Sequence, residues 1–132
     1  MADPDASSDL AILGLNFKNI DSMQPDDLDK LPFGAIQLDG DGRVKNFNLY
    51  ESKLARMPKK EVLGKDFFRE VAPCTDVKEF AGRFREGFQK KFLHAKFNYR
   101  FAFKQDPRDV SVTLFYSDIT DSVWVFVQPV GK

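Results

Sequence analysis

The sequence predicts an α+β domain: a five-stranded antiparallel sheet flanked by short helices and one long helix, with a helical cap at the N-terminus. Three observations carry that expectation. Two short strand-like runs, 33–38 and 43–47, flank the turn-forming Asp39-Gly40-Asp41-Gly42. Helical signals are then gathered in one stretch, from Asn48 to Phe88. The last third alternates apolar and polar residues with the two-residue period of strands. Strands at both ends with the helices segregated between them make an antiparallel sheet, not the repeating β-α units of a parallel one.

Each element has its own justification. Residues 1–8 are polar and acidic and read as a frayed end. Leu10, Leu13, Phe17 and Ile20 then recur at helical spacing, and Pro25 opens a second short turn, so residues 1–30 are expected to form the cap and 31–132 the core. The acidic turn resembles the start of a calcium loop, but the bidentate carboxylate such a loop needs at its twelfth position would fall on Tyr50. It is therefore read as a hairpin turn. Asn48 caps the helix LYESKLAR, and Pro58 opens PKKEVLG, which Gly64 closes. DFFREV adds one turn, ended at Ala72 because a residue before proline avoids the helical region. Thr75 is then expected to cap the long helix. There Phe80, Phe84 and Phe88 stand four apart with Val77 and Ala81 beside them, while Lys78, Arg83, Arg85 and Glu86 face solvent. Phe97, Tyr99, Phe101 and Phe103 alternate with polar neighbours as a half-buried strand, QDPR turns the chain, and 109–116 and 122–130 complete the sheet.

Composition narrows the function classes. A chain of 132 residues is the size of one domain and long enough to bury a core without disulfides, which its single cysteine could not form internally. Twenty basic residues balance twenty acidic ones, with no long basic run, which argues against nucleic acid and membrane surfaces as partners and favours a small, nearly neutral one. The longest apolar run, Val123 to Val127, is far too short to span a bilayer, and the N-terminus has no apolar signal segment, so a cytoplasmic protein is expected. Fourteen phenylalanines point to an aromatic core that either fills itself or encloses a flat ligand.

Few residues can carry chemistry. Cys74, just before the expected Thr75 cap, reads either as a small buried hydrophobe or as a thiol activated by the positive end of the long helix. His94, in KKFLHAK, reads as a solvated histidine, which disfavours a Cys74–His94 dyad. Glu51, four residues after Phe47, reads by itself as a surface carboxylate. Phosphate loops, metal-ligand clusters and nucleophile elbows are absent from the sequence, so no enzyme is expected.

Four stretches, LPFGAIQLDGDG, EVLGKDFFREVAPCTD, FNYRFAF and SVWVFVQPV, resemble the photoactive yellow protein family, a branch of the PAS-fold sensors. The similarity runs without gaps over about 31–130, and APCTD after the KDFFREV segment is its most specific part. The resemblance implies a blue-light receptor in which p-coumaric acid (4-hydroxycinnamic acid) is bound as a thioester on Cys74. It further implies a buried phenolate held by a protonated glutamic acid, at Glu51, and by a tyrosine hydroxyl. Ile36, Phe67, Val71, Ala72, Pro73, Tyr99 and Phe101 match positions lining that family's pocket. Signalling would follow from trans–cis isomerisation, proton transfer from Glu51 and loosening of the cap, toward a downstream protein met through an exposed surface.

Three positions depart from the family pattern. Phe47 stands where the phenolate-binding tyrosine is usual, Ala55 where a supporting threonine is, and Met57 where an arginine commonly shields the ring. The phenolate therefore loses a donor unless Tyr50 or Ser52 supplies one. The alternative reading is a PAS-fold small-ligand or protein-interaction module that carries no chromophore.

Overall fold

The computed structural model describes residues 20–101 and 107–130. Five strands form one antiparallel sheet: β1 (Gly34–Leu38), β2 (Val44–Phe47), β3 (His94–Phe101), β4 (Arg108–Ser117) and β5 (Ser122–Pro129), in the order β2-β1-β5-β4-β3. The α+β expectation is met. Between β2 and β3 lie α2 (Leu49–Ala55), α3 (Lys59–Val62), a π-helical turn (Phe67–Val71), a 3-10 turn (Pro73–Thr75), a second π-helical turn (Lys78–Gly82) and α4 (Arg83–Lys90). The short α1 (Pro25–Leu28) precedes the sheet, with Pro25 in its first turn as the sequence predicts. The predicted helix over Leu10, Leu13 and Phe17, and the strand position of Phe103, lie outside the described residues.

The β1–β2 connection is a hairpin turn. Asp39 Oδ1 accepts from the backbone N–H groups of Asp41 and Arg43, both at 2.9 Å, and Gly42 takes the left-handed conformation at φ 82° that a side chain would strain. Arg43 does not open β2 as expected; it forms an isolated bridge with Asp66, whose carboxylate caps the first π-helical turn by accepting from Phe68 N and Arg69 N.

β5 is central and covered on both sides, which is why its sequence reads as an unbroken apolar run and not as an alternation. Val123, Val125 and Val127 join Ile36, Leu38, Val110, Val112 and Leu114 under the helices, against Phe67, Phe68, Phe80 and Phe84. Trp124 and Phe126 face the other way and pack with Ile20, Leu28, Leu31 and Phe33. Residues 20–33 thus cover part of the second face. Asp21 fastens it: its carboxylate accepts from Trp124 Nε1 at 3.0 Å, from Ser117 Oγ at 2.6 Å and from Thr120 Oγ1 at 3.1 Å. Replacing Asp21 by alanine leaves the indole N–H of a 2% exposed tryptophan without that acceptor. A loss of about 1–3 kcal/mol in urea unfolding is expected; an unchanged midpoint would show that water takes the place of the carboxylate.

The long helix is where the structure departs most from expectation. Thr75 does not cap it: its hydroxyl donates to the Ala72 carbonyl at 2.7 Å inside the 3-10 turn. Val77 is extended (φ −135°, ψ 164°), and the helix begins beyond it with the π-helical turn before α4. That wider turn seats Phe80 among Phe67, Tyr99 and Phe101, with ring centroids 5.4–6.1 Å apart, while Phe84 packs on Phe68 and Phe88. The four-residue phenylalanine spacing remains a packing stripe. Its N-terminus, however, is not where Cys74 stands, so helix-end activation of that thiol lacks its geometric basis.

Candidate functional site

The site is built from the start of α2. Asn48 is its N-cap, as the sequence predicts, with the side-chain Oδ1 accepting from Glu51 N at 3.1 Å. The same oxygen accepts from Ala35 N at 2.9 Å, and Nδ2 donates to the carbonyls of Leu28 at 2.8 Å and Phe33 at 3.0 Å. One buried amide therefore joins α2, β1 and the segment leading out of α1. This junction was not legible in the sequence, where Asn48 signals only a cap; its long-range partners depend on which strand α2 packs against.

So held, α2 turns Glu51 into the interior. The side chain is 2% exposed, and its Oε1 is buried with no hydrogen-bond partner. Burial pushes the Glu51 carboxyl up to about 8, so at neutral pH it is a protonated acid and a hydrogen-bond donor. The expectation of a surface carboxylate is overturned: the residue lies on the core-facing side of α2, together with Ala55 one turn on.

Glu51 borders a narrow apolar recess with about 10 Å³ of interior space, room for about one water. Phe47 and Ala55 flank it from β2 and α2, Phe67, Val71 and Ala72 from the first π-helical turn and its end, with Met57 and Phe101 completing the wall. Eight of the residues singled out in the sequence are thereby brought together. Ile36 is fully buried in the same core and pairs with Phe47 across the β1–β2 ladder, but is not part of the wall. Pro73 is exposed, so it shapes the loop and does not line the recess. Neither candidate for the missing hydroxyl replaces it: Ser52 Oγ donates to the Met57 carbonyl at 2.5 Å, and Tyr50 is not among the lining residues.

Cys74 sits two residues beyond Ala72, half-buried and packed against the same core. Tyr99 holds its loop by donating its hydroxyl to the Cys74 carbonyl. Burial, with Cys74 and Glu79 nearby, raises the Tyr99 phenol above its ordinary value, which keeps the proton that this bond requires. His94 is not solvated as expected: it is half-buried, edge-on to Phe115 with ring centres 6.3 Å apart. It stands five residues before Tyr99 on β3. An odd spacing puts the two on opposite faces, about 16 Å apart along the strand. No Cys74–His94 dyad is formed.

A neutral carboxylic acid on the wall of a narrow apolar recess, with a thiol loop beside it, can offer a proton to one oxygen brought against it. Together with the sheet order, it defines a PAS-type sensor domain, and the sequence model described as the PAS fold matches residues 27–130. The photoactive yellow protein of Rhodothalassium salexigens is 44% identical over 103 residues, covering 78% of this chain and 82% of that protein, and that of Halochromatium salexigens is 42% identical over 107 residues, covering 81% and 86%. The photoactive yellow protein domain of the sensor histidine kinase Ppr from Rhodospirillum centenum superposes with a TM-score of 0.80 at 39% identity, covering 84% of this chain and 97% of that one. The chain belongs to the photoactive yellow protein family, and its function is that of a PAS-domain photoreceptor. Among the described residues no helix is long and apolar enough to cross a membrane.

Proposed function

We propose that this chain is a blue-light receptor carrying p-coumaric acid as a thioester on Cys74, with Glu51 as the partner and proton donor of the phenolic oxygen. The observation that carries the reading is the buried, neutral Glu51 carboxyl on the wall of an apolar recess, with no protein counter-charge. A buried carboxylic acid of this kind is costly to ionise and holds a proton that an acidic ligand oxygen can share. When bound, the chromophore supplies a light-driven trans–cis isomerisation and a phenolic oxygen that changes its proton affinity.

This chain's residues would act as follows. Glu51, protonated by desolvation, would donate a hydrogen bond to the phenolic oxygen in the dark and would transfer its proton to that same oxygen when the geometry changes. The carboxylate left behind is buried without a counter-charge, at a cost of several kcal/mol. Asn48 is bonded to Glu51 N and to the Leu28 and Phe33 carbonyls, so strain at the start of α2 reaches the segment covering the second sheet face. Loosening of that cap would expose the surface read by a downstream signalling protein. Phe47 and Ala55 bring no hydroxyl and Met57 no charge, so the phenolate has one donor fewer than the family pattern provides.

The test is the absorption spectrum of the purified protein before and after mixing with an activated p-coumaric acid ester, in the dark and after illumination, beside Cys74→Ala. The Cys74 sulfur displaces the ester's leaving group to form the thioester, so the alanine variant should retain no covalent band at all. The missing donor disfavours the phenolate by about 1.5–3 kcal/mol, tenfold or more in the phenol–phenolate balance. A near-ultraviolet band of neutral chromophore is therefore expected to grow as pH falls. A single visible band unchanged into acid would contradict this, and no Cys74-dependent band at all would leave a chromophore-free ligand or interaction module.

A further inference from the structure

Gly34 opens β1, opposite Val127 of β5, and is buried. Its φ is not in the left-handed region, so the backbone there would accept any residue; what excludes a side chain is space. A Cβ at Gly34 would stand 2.1 Å from Glu51 Oε1, 3.2 Å from its Cδ and 3.3 Å from its Cβ. The first separation is far inside contact distance. The helix cannot retreat to relieve it, because Asn48 ties the start of α2 to Ala35 N, the residue next to Gly34.

We infer that Gly34 is the positioning residue of the site: the absence of its side chain makes the seat in which the Glu51 carboxyl is held against β1. Any methyl group there must push the carboxyl out of that seat. The inference deepens the reading of Glu51 as proton donor, but the seat is a property of the ligand-free chain and can be tested without chromophore.

The experiment is a double-mutant cycle on the full chain without ligand, comparing the native sequence, Gly34→Ala, Glu51→Ala and the double variant. Thermal unfolding of Gly34→Ala is expected to fall by roughly 5–10 °C, and the same substitution in the Glu51→Ala background by less than about 2 °C. Infrared pH titration of the Glu51 carboxyl stretch, assigned by its loss in Glu51→Gln, gives the readout that a merely structural role would not move. Its frequency is expected to shift in Gly34→Ala, with a midpoint displaced by about one pH unit or more. Equal destabilisation in both backgrounds, or an unmoved stretch and midpoint, would overturn the inference. So would a double variant that fails to fold, because the clash would then involve more than the carboxyl. Failure of the native chain to take up p-coumaric acid would strike the photoreceptor reading and leave this cycle standing.

Discussion

Asn48→Ala should destabilise the protein by about 3–5 kcal/mol, a drop of roughly 10–20 °C in thermal unfolding. The side chain is 1% exposed and makes four hydrogen bonds, two accepted from backbone N–H groups and two donated to carbonyls. Truncation strands the N–H groups of Ala35 and Glu51, each costing about 1–3 kcal/mol when no substitute partner is available. It also removes the cap of α2. Asn48→Asp separates the contributions: the carboxylate still accepts from both N–H groups, but faces the Leu28 and Phe33 carbonyls without a donor. The expected order of stability is Asn above Asp, with Ala lowest if the N–H groups dominate. Urea unfolding gives the totals, and amide exchange at Ala35 and Glu51 locates the loss. A change under about 1 kcal/mol in Asn48→Ala would mean that water enters and replaces the amide.

Glu51→Gln should reverse its effect on stability with pH. The folded chain holds the Glu51 proton up to about 8, against an ordinary value of 4.5. Between those values the native state binds more protons than the unfolded one, so stability falls as pH rises. The contribution of the protonated acid is fully present below about pH 4.5 and lost by about pH 8. A displacement of about three and a half pH units, at 1.36 kcal/mol each, puts the whole effect at about 4–5 kcal/mol. Glutamine has nearly the same shape and no charge to bury. The variant is therefore expected to match the native chain near pH 4.5 and to become progressively more stable than it toward pH 8, with no further gain above. Unfolding free energies measured at intervals across that range provide the check. A difference independent of pH would show that Glu51 ionises normally inside the fold.

Much of this protein was determined by its sequence alone. Alternation at Phe97, Tyr99 and Phe101, the Asp39–Gly42 turn and the continuous apolar run of β5 specify strands through side-chain period and backbone permissiveness, both local properties. Asn48 as a helix cap and Pro25 in a first turn are local for the same reason. The APCTD segment carries the resemblance that points to Cys74, and the same resemblance marks Phe47, Ala55 and Met57 as the positions expected to depart from the family pattern. Tertiary structure decided the rest. Thr75 has the chemistry of a helix cap, yet a nearer carbonyl, Ala72 O, takes its hydroxyl, and the seating of Phe80 among other rings delays the helix. His94 sits among charges in the sequence but packs on Phe115, brought beside it by strand pairing. Glu51 was indistinguishable from a surface carboxylate, since its burial comes from α2 lying against β1 and its seat from a glycine 17 positions earlier in the chain. Spacing along a chain fixes periods and caps; desolvation and close approach arise between segments distant in sequence, and those set the proton on Glu51.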